Sequence, residues 1–131
     1  MKKILFTLWL ILALLPIAMA AHKHPESYYQ NEWCSNIGGA QEHENKDYTR
    51  VDCLTDTHAI EFDFAKKWAE AIGQSLHYSA MTGKKPGIVL IIEKEKDFVY
   101  YNRIKPLCDK YGITLWYMEG MLYGNKKEAH N

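Results

Sequence analysis

The sequence predicts one α/β domain built on a mixed β-sheet with helices on its faces. Polar and apolar residues alternate over residues 58–63, as expected for a strand. Residues 88–92 are five consecutive aliphatic residues, a run that is too short for a helix and suits a strand covered on both faces. Longer segments with helical spacing, residues 64–80 and 97–111, lie on either side of that run.

The first half of the domain is predicted as one helix followed by three strands. Aromatic and aliphatic side chains between residues 28 and 37 have helical spacing, and Gly38-Gly39 follows them, glycine being a frequent helix terminator. Two turn-rich segments, residues 45–47 and 55–57, then separate three extended stretches. These stretches are residues 40–44, 48–54 and 58–63.

The second half is predicted to alternate helices with strands. The long helix over residues 64–80 is broken by the loop of residues 83–87, and a helix over residues 97–111 is stopped by Gly112. A last strand covers residues 113–117. The order αβββαβαβ therefore describes an antiparallel meander followed by a β-α-β crossover, which we expect to be right-handed.

The N-terminus has the order of regions found in a secretory signal peptide. Lys2 and Lys3 precede an apolar run over residues 4–17, and Ala18-Met19-Ala20 follows as a small-x-small cleavage sequence. The alternative is an uncleaved anchor, because the apolar run approaches the roughly 20 residues of a spanning helix. We expect cleavage after Ala20, export to the periplasm or the medium, and no stable membrane anchor afterwards.

Cleavage would leave a single domain of ordinary size. Removing the first 20 of 131 residues leaves 111, of which residues 21–123 form the predicted domain and residues 124–131 a polar tail predicted to be disordered. The two removed lysines reduce the basic residues from 16 to 14 against 16 acidic ones. Net charge therefore does not attract a polyanion, and nucleic-acid binding would require a local basic patch.

Three cysteines allow one disulfide and one spare thiol in an oxidising compartment. Cys34 and Cys53 are the preferred pair, because they lie close in sequence and in elements expected to touch. Cys108 lies on an apolar helix face and is predicted to be a buried free cysteine.

Acidic residues on two neighbouring strands are the strongest candidates for chemistry. Asp52 shares one strand face with Arg50, and Glu61 shares one with Asp63, because side chains on a strand alternate. Three carboxylates on one sheet face repel each other unless a cation, a proton or an arginine compensates them. One interpretation is a site for Mg²⁺ or Mn²⁺, which prefer oxygen ligands; the other is an exposed sheet face neutralised by Arg50 and lysines.

The predicted helix over residues 64–80 carries a polar stripe beside its apolar one. Lys67, Gln74 and Tyr78 fall within about 40° of one another on a helical projection. Lys67 lies near the start of the helix, just after the acidic pair, and can reach back to the carboxylates. Lys66 points elsewhere and is predicted to be solvated.

The element order, Asp52, the pair Glu61 and Asp63, and the motif Gln74-x-x-x-Tyr78 together resemble the PD-(D/E)XK nuclease superfamily. The glutamine-x-x-x-tyrosine helix is similar to that of its branch related to the RecB nuclease domain. The resemblance spans residues 28–117 and rests on short motifs in a fixed order. It implies a restriction-endonuclease-like core and metal-dependent hydrolysis of phosphodiester bonds in DNA.

The resemblance also implies roles for single residues. Asp52 matches the first metal-binding aspartate and Glu61 the acidic member of the (D/E)-x-K motif, so both are expected to hold the ion. Gln74 and Tyr78 match the helix residues that support the site and contact DNA. Glu42 matches an upstream acidic residue.

The sequence departs from the family pattern at Asp63, where the family has lysine. Asp63 is then a possible further metal ligand, and Lys67 is expected to supply the missing charge from the helix. Lys84 and Lys85, in the loop after that helix, are candidate contacts to the nucleic-acid backbone or else part of a solvated turn. The alternative function is a binding or interaction module of the cell envelope that kept the fold without catalysis.

Overall fold

A computed structural model describes residues 22–120, so the predicted signal peptide and polar tail lie outside the described residues. Within this range the chain forms three α-helices and five β-strands. In chain order they are α1 Glu26–Asn36, β1 Ala40–Glu44, β2 Arg50–Leu54, β3 His58–Phe64, α2 Trp68–Thr82, β4 Lys85–Ile92, α3 Phe98–Tyr111 and β5 Thr114–Glu119. None of the described helices is both long and apolar enough to cross a membrane.

The five strands form one mixed sheet in the order β1-β2-β3-β4-β5. The pairs β1–β2 and β2–β3 are antiparallel, whereas β3–β4 and β4–β5 are parallel. The predicted α/β class with a mixed sheet is therefore confirmed. The central strand β3 has antiparallel hydrogen bonding on one side and parallel hydrogen bonding on the other.

Helices cover both faces of the sheet. Phe62 of β3 and Val89 and Ile91 of β4 pack in the same cluster as Tyr29 of α1. The alternate β4 residues, such as Leu90, pack on the other face with Ala71 of α2 and Ile104 and Cys108 of α3. Residues 88–92 are at most 1% exposed, which confirms that this run is a strand covered on both faces.

The long central helix starts later than its sequence pattern predicts. Phe64, placed at the start of the predicted helix, is instead the last residue of β3 and pairs with Ile91 of β4. A 3₁₀ turn, Ala65–Lys67, follows, and α2 begins only at Trp68. Lys67 therefore lies in this turn and not on the helix, because the buried β3–β4 ladder keeps Phe64 in an extended conformation.

The predicted loop over residues 83–87 is also shorter than expected. Gly83 ends α2 with a left-handed φ of 70°, and β4 begins at Lys85. Lys85 pairs with His58 of β3, and its N–H donates a 2.9 Å hydrogen bond to the Thr57 carbonyl oxygen. Parallel pairing thus extends the strand backwards into a segment whose Gly, Lys and Pro residues indicate a turn when read alone.

A disulfide joins α1 to the sheet. Cys34 and Cys53 are bonded, with Cα atoms 5.8 Å apart, which confirms the predicted pair. A Cβ atom on Gly39 would meet Cys53 Sγ and lie 2.7 Å from Cys34 Sγ, so this position leaves no room for a side chain. Cys108 is a buried free cysteine, as predicted, and burial raises the pKa of its thiol to about 11.

Replacing both Cys34 and Cys53 by alanine is expected to lower the unfolding free energy by about 3 kcal/mol, because the bridge closes a loop of about 20 residues in the unfolded chain. Urea unfolding under non-reducing conditions measures this change. Dithiothreitol should destabilise the wild type and leave the double variant unaffected. An unchanged midpoint in the double variant would show that the bridge contributes nothing to stability.

Candidate functional site

The candidate site lies where β2 separates from β3. Backbone pairing between these strands joins Cys53 with Ile60 and Leu54 with Ala59. One residue beyond Cys53, the Asp52 side chain enters the ladder, and its Oδ2 accepts a 2.7 Å hydrogen bond from the Phe62 N–H. A carboxylate thus takes the place of a backbone acceptor at the open end of the β2–β3 pair.

Glu61 and Asp63 are buried beside this opening. Each residue is 3% exposed, and both lie on the face of β3 opposite the α1-facing Phe62. The alternative of an exposed acidic sheet face is therefore wrong for these two residues. Arg50, which that alternative needs as the neutralising cation, instead points to solvent and pairs with Glu44 at 3.4 Å.

Two oxygens of these carboxyl groups have no hydrogen-bond partner among the described residues, namely Glu61 Oε2 and Asp63 Oδ1. A buried polar atom without a partner costs on the order of 1–3 kcal/mol, and a charged one costs more. Native structures keep few such atoms, and those they keep call for a specific explanation such as an ion. The opening therefore has acceptor capacity that the described chain does not use.

Gln30 of helix α1 connects the helix to strands β1 and β2, and it is 3% exposed. Its side-chain amide donates a 2.8 Å hydrogen bond to the Asp52 carbonyl oxygen and a 2.9 Å hydrogen bond to Glu42 Oε1. Glu42 has a left-handed φ of 53°, which is unusual for a residue other than glycine. This contact brings the predicted upstream acid to the edge of the site, two strands away from Glu61.

Sequence reasoning missed Glu26, at the first turn of α1. Burial and the negative charges of Asp63 and Asp52 raise its pKa to about 7, and it hydrogen bonds to Asp63. A detectable pattern existed, because Glu26 and Gln30 precede Cys34 at intervals of four residues and so share its helix face. Since Cys34 is bonded to β2, that face points at the strand that carries Asp52.

The carboxyl groups are too close together to be fully ionised. Burial, followed by the charge of Asp52 and a hydrogen bond to it, raises the pKa of Glu61 to about 10. Burial also raises the pKa of Asp52, although the hydrogen bonds from Phe62 and from Glu61 oppose the rise. Glu61 is therefore the protonated member of the pair at neutral pH, and Asp52 is the acceptor.

Asp63 has a different partner. Burial raises its pKa to about 6, while Lys67 acts in the opposite direction. The distance from Lys67 Nζ to Asp63 Oδ1 is 4.0 Å, and the lysine side chain is 56% exposed. Lys67, which the sequence predicted on the helix, thus extends from the turn before α2. Its ammonium group lies at the border between the buried acids and solvent.

The helix motif faces the same acids. Burial raises the pKa of Tyr78 to about 12, with the charge of Glu61 as the next cause, while a hydrogen bond with Gln74 opposes the shift. Tyr78 also packs against Val51 and Ala59 of the two separating strands. Tyr78 therefore lies near Glu61 on the α2 side of the opening, with Gln74 as its hydrogen-bond partner.

Lys84 and Lys85 are placed at the far end of β3. Lys85 is level with His58, whereas Asp63 is five residues further along β3, or roughly 16 Å at the usual rise per residue. Lys84 Nζ donates a 2.7 Å hydrogen bond to the Asp56 carbonyl oxygen, which ties the loop after α2 to the β2–β3 turn. The structure therefore does not bring these two lysines together with the acidic residues.

The residues at the opening suit a hard divalent cation. They offer carboxylate oxygens, which Mg²⁺ and Mn²⁺ prefer as ligands. Two of these oxygens are buried and have no hydrogen-bond partner in the part of the chain that the structure describes. As the side chains stand, residues 22–120 contain no group of three or more His, Cys, Asp or Glu arranged to hold a metal ion. The acids instead pair with each other, Glu61 with Asp52 and Glu26 with Asp63.

Comparisons with protein-family models, with curated proteins and with solved structures returned no match to this chain.

The stability of the protein is expected to fall as the pH rises from the ordinary carboxyl range towards alkaline values. Glu61 has a folded-state pKa of about 10 against an ordinary value of 4.5, so between these values the unfolded chain binds fewer protons. Glu61→Gln, which stays neutral, should therefore gain stability relative to the wild type when the pH is raised from about 5 to about 8. We expect a relative gain of more than about 1.4 kcal/mol, the equivalent of one pKa unit.

Urea unfolding of both proteins at the two pH values measures this gain. Glu32→Gln, on the exposed side of α1, is the matched control and should follow the wild type at both values. Equal pH dependence in wild type and Glu61→Gln would contradict a raised pKa at Glu61.

Proposed function

We propose that this protein is a nuclease-like enzyme that hydrolyses phosphodiester bonds of DNA with Mg²⁺ or Mn²⁺. The observation that carries the proposal is a pair of buried carboxylate oxygens, Glu61 Oε2 and Asp63 Oδ1, that have no hydrogen-bond partner among the described residues. They lie beside Asp52, and Lys67 Nζ is 4.0 Å from Asp63 Oδ1. A structural acidic cluster would be expected to satisfy such atoms within the chain. A site that binds a cation keeps them free.

The residues have distinct roles in this proposal. Asp52 and Glu61 would hold the cation, with Asp63 as a further ligand, and Glu26 and Glu42 complete the acidic surroundings. A bound divalent cation supplies positive charge for the phosphate and lowers the pKa of water. Gln30 keeps Asp52 in place through its carbonyl oxygen, and Tyr78 holds the α2 side of the opening.

Lys67 and Asp63 can assist the reaction directly. The ammonium group of Lys67, half exposed at the mouth of the site, is placed to stabilise negative charge that develops on the scissile phosphate. If Asp63 does not ligate the cation, its pKa of about 6 leaves it ionised near neutral pH, and it can accept the proton of the attacking water. The water oxygen then forms the new P–O bond as the bond between phosphorus and the leaving oxygen of the DNA strand breaks, and that oxygen takes up a proton from solvent.

The restriction-endonuclease-like core belongs to the same proposal. It is supported by the position of the acids on β2 and β3 and by a glutamine-x-x-x-tyrosine helix that faces them. Export belongs here as well, because a disulfide between Cys34 and Cys53 is typical of proteins in oxidising compartments. We propose that the enzyme acts in the periplasm or outside the cell.

A non-catalytic binding module is the second candidate. The observation that favours it is Asp63 at the position where the resembled family has lysine, together with a lysine substitute that is 56% exposed and 4.0 Å from Asp63. In that case the acids would bind a cation, or a basic group of a partner, without turnover. Cation binding and cleavage therefore have to be measured separately.

Mg²⁺ or Mn²⁺ is expected to stabilise the wild type, because a ligand that binds only the folded state adds RT ln(1 + [L]/Kd), about 2.7 kcal/mol at one hundred times Kd. The effect should increase with pH, since Glu61 must lose its proton to bind the ion. Thermal unfolding across a series of metal concentrations measures this effect. Glu61→Gln should lose the shift and Glu32→Gln should keep it; equal shifts in all three proteins would place the ion elsewhere.

Metal-dependent cleavage of single- or double-stranded DNA is expected to disappear in Asp52→Asn and Glu61→Gln. Lys67→Ala should lower the rate by roughly 10²-fold, the usual effect of removing one electrostatic stabiliser. Gel assays with labelled substrates, with and without EDTA, measure the rates. Glu32→Gln and Lys110→Ala, both on exposed positions of other helix faces, should retain activity.

Two outcomes would contradict the proposed nuclease activity. Cleavage that persists in Asp52→Asn or in EDTA would show a contaminating or unrelated activity. Metal binding without any cleavage of either substrate would instead support the non-catalytic module.

A further inference from the structure

A small cavity opens at the carboxyl ends of the parallel strands β3 and β4. Its volume is about 50 Å³, and its walls include Phe64 at the end of β3 and Glu93 just after β4. The His22 ring stacks on Phe64 with centroids 3.5 Å apart, which makes one wall aromatic. Clefts at the carboxyl ends of parallel strands are frequent ligand sites in α/β proteins.

Three lysines line this cavity, namely Lys66, Lys94 and Lys96. All three residues are exposed, and none of them forms an ion pair within residues 22–120. They come from the turn before α2 and from the segment after β4, so the fold collects them from two separate parts of the chain. This cluster is a local basic patch on a protein whose basic residues do not outnumber its acidic ones.

The acids that line the cavity are already engaged by the chain. Glu93 Oε2 is 2.7 Å from His22 Nδ1, and Glu93 Oε1 accepts hydrogen bonds from the Lys23 N–H and the Tyr29 hydroxyl. Asp97 Oδ2 accepts the Lys94 N–H at 3.0 Å. The lysine ammonium groups are thus left to meet a ligand, and an anion is the ligand that they favour.

The size of the cavity limits the kind of anion. A space of about 50 Å³ exceeds the roughly 10–15 Å³ needed for one water, so it admits a group of a few heavy atoms. Ligand pockets for drug-sized molecules begin at roughly 300 Å³. The cavity therefore suits a single tetrahedral phosphate group and is too small for a nucleoside.

The position of the cavity connects it to the acidic site. Phe64 and Ala65, both on its wall, directly follow Asp63, and Lys66 directly precedes Lys67, which contacts Asp63. The same turn, Ala65–Lys67, thus borders the acids on one side and the cavity on the other. A nucleic-acid strand carries a phosphate every roughly 3.4 Å of helix axis, so a strand at the acidic site continues past this turn.

We propose that Lys66, Lys94 and Lys96 form a subsite for a backbone phosphate of the nucleic-acid strand, next to the phosphate at Asp63 and Lys67. This inference rests on the proposed function for the identity of the anion. It assigns strand binding to the carboxyl end of β3 and not to Lys84 and Lys85 at the opposite end.

The test combines a small probe with a polymer, both without divalent metal so that no cleavage is needed. Amide NMR spectra of the purified protein are recorded during titration with inorganic phosphate, with sodium chloride at equal ionic strength as the control. Saturable shifts at Ala65, Lys66 and Lys94 are expected with phosphate only. Absence of such shifts would overturn the subsite, whatever the cleavage assays show.

Fluorescence anisotropy then measures binding of a labelled single-stranded oligonucleotide at several salt concentrations. The triple variant Lys66→Gln, Lys94→Gln and Lys96→Gln should bind more weakly, and its log–log salt slope should be smaller by about 0.7, the value for one lost phosphate on a single strand. The control variant Lys46→Gln, Lys105→Gln and Lys110→Gln removes the same charge away from the cavity. It should bind like the wild type, after thermal unfolding has shown that both variants are folded.

The results separate the two proposals. Equal losses in both triple variants would show a general charge effect and overturn the subsite. Phosphate shifts with unchanged oligonucleotide binding would overturn its assignment to a nucleic-acid strand. Phosphate and oligonucleotide binding at the cavity without metal-dependent cleavage would support the subsite and contradict the proposed nuclease activity.

Discussion

The burial of Glu61 and Asp63 on the central strand is the constraint around which the neighbouring elements are arranged. Each residue is 3% exposed, and a buried carboxylate is costly unless a proton, a cation or hydrogen bonds compensate it. The chain meets this cost in part, with a hydrogen bond from protonated Glu61 to Asp52 and with Lys67 beside Asp63. Within residues 22–120, one oxygen of each of these two carboxyl groups has no hydrogen-bond partner.

The architecture explains why the acids gather where they do. Backbone pairing between β2 and β3 is short and leaves a gap between the two strands. The Asp52 side chain enters this gap and accepts a hydrogen bond from the Phe62 N–H. The disulfide and Gln30 then hold α1 against the separated strands, so the gap is stabilised from outside.

Much of the site was predictable because its motifs are local. Glu61 and Asp63 share a strand face by simple alternation, and Gln74 and Tyr78 share a helix face by a spacing of four. Glu26 and Gln30 were missed, although their spacing from Cys34 places them on the disulfide-bonded face of α1. Helical periodicity predicts that Lys67 lies on the helix, because the pattern continues into α2, whereas the β3–β4 ladder keeps Phe64 extended and a 3₁₀ turn follows it.

The sequence by itself determined the α/β class, the Cys34–Cys53 pair, the strand β4 covered on both faces and the acids on β2 and β3. Each of these features depends on periodicity or residue type within a short segment. Only the tertiary structure decided which carboxyl groups are buried, which oxygens lack partners and which lysines share a cavity. These properties depend on how far β2 separates from β3 and on where distant turns meet. Such distances arise from the packing of all the elements together and leave no trace in local spacing.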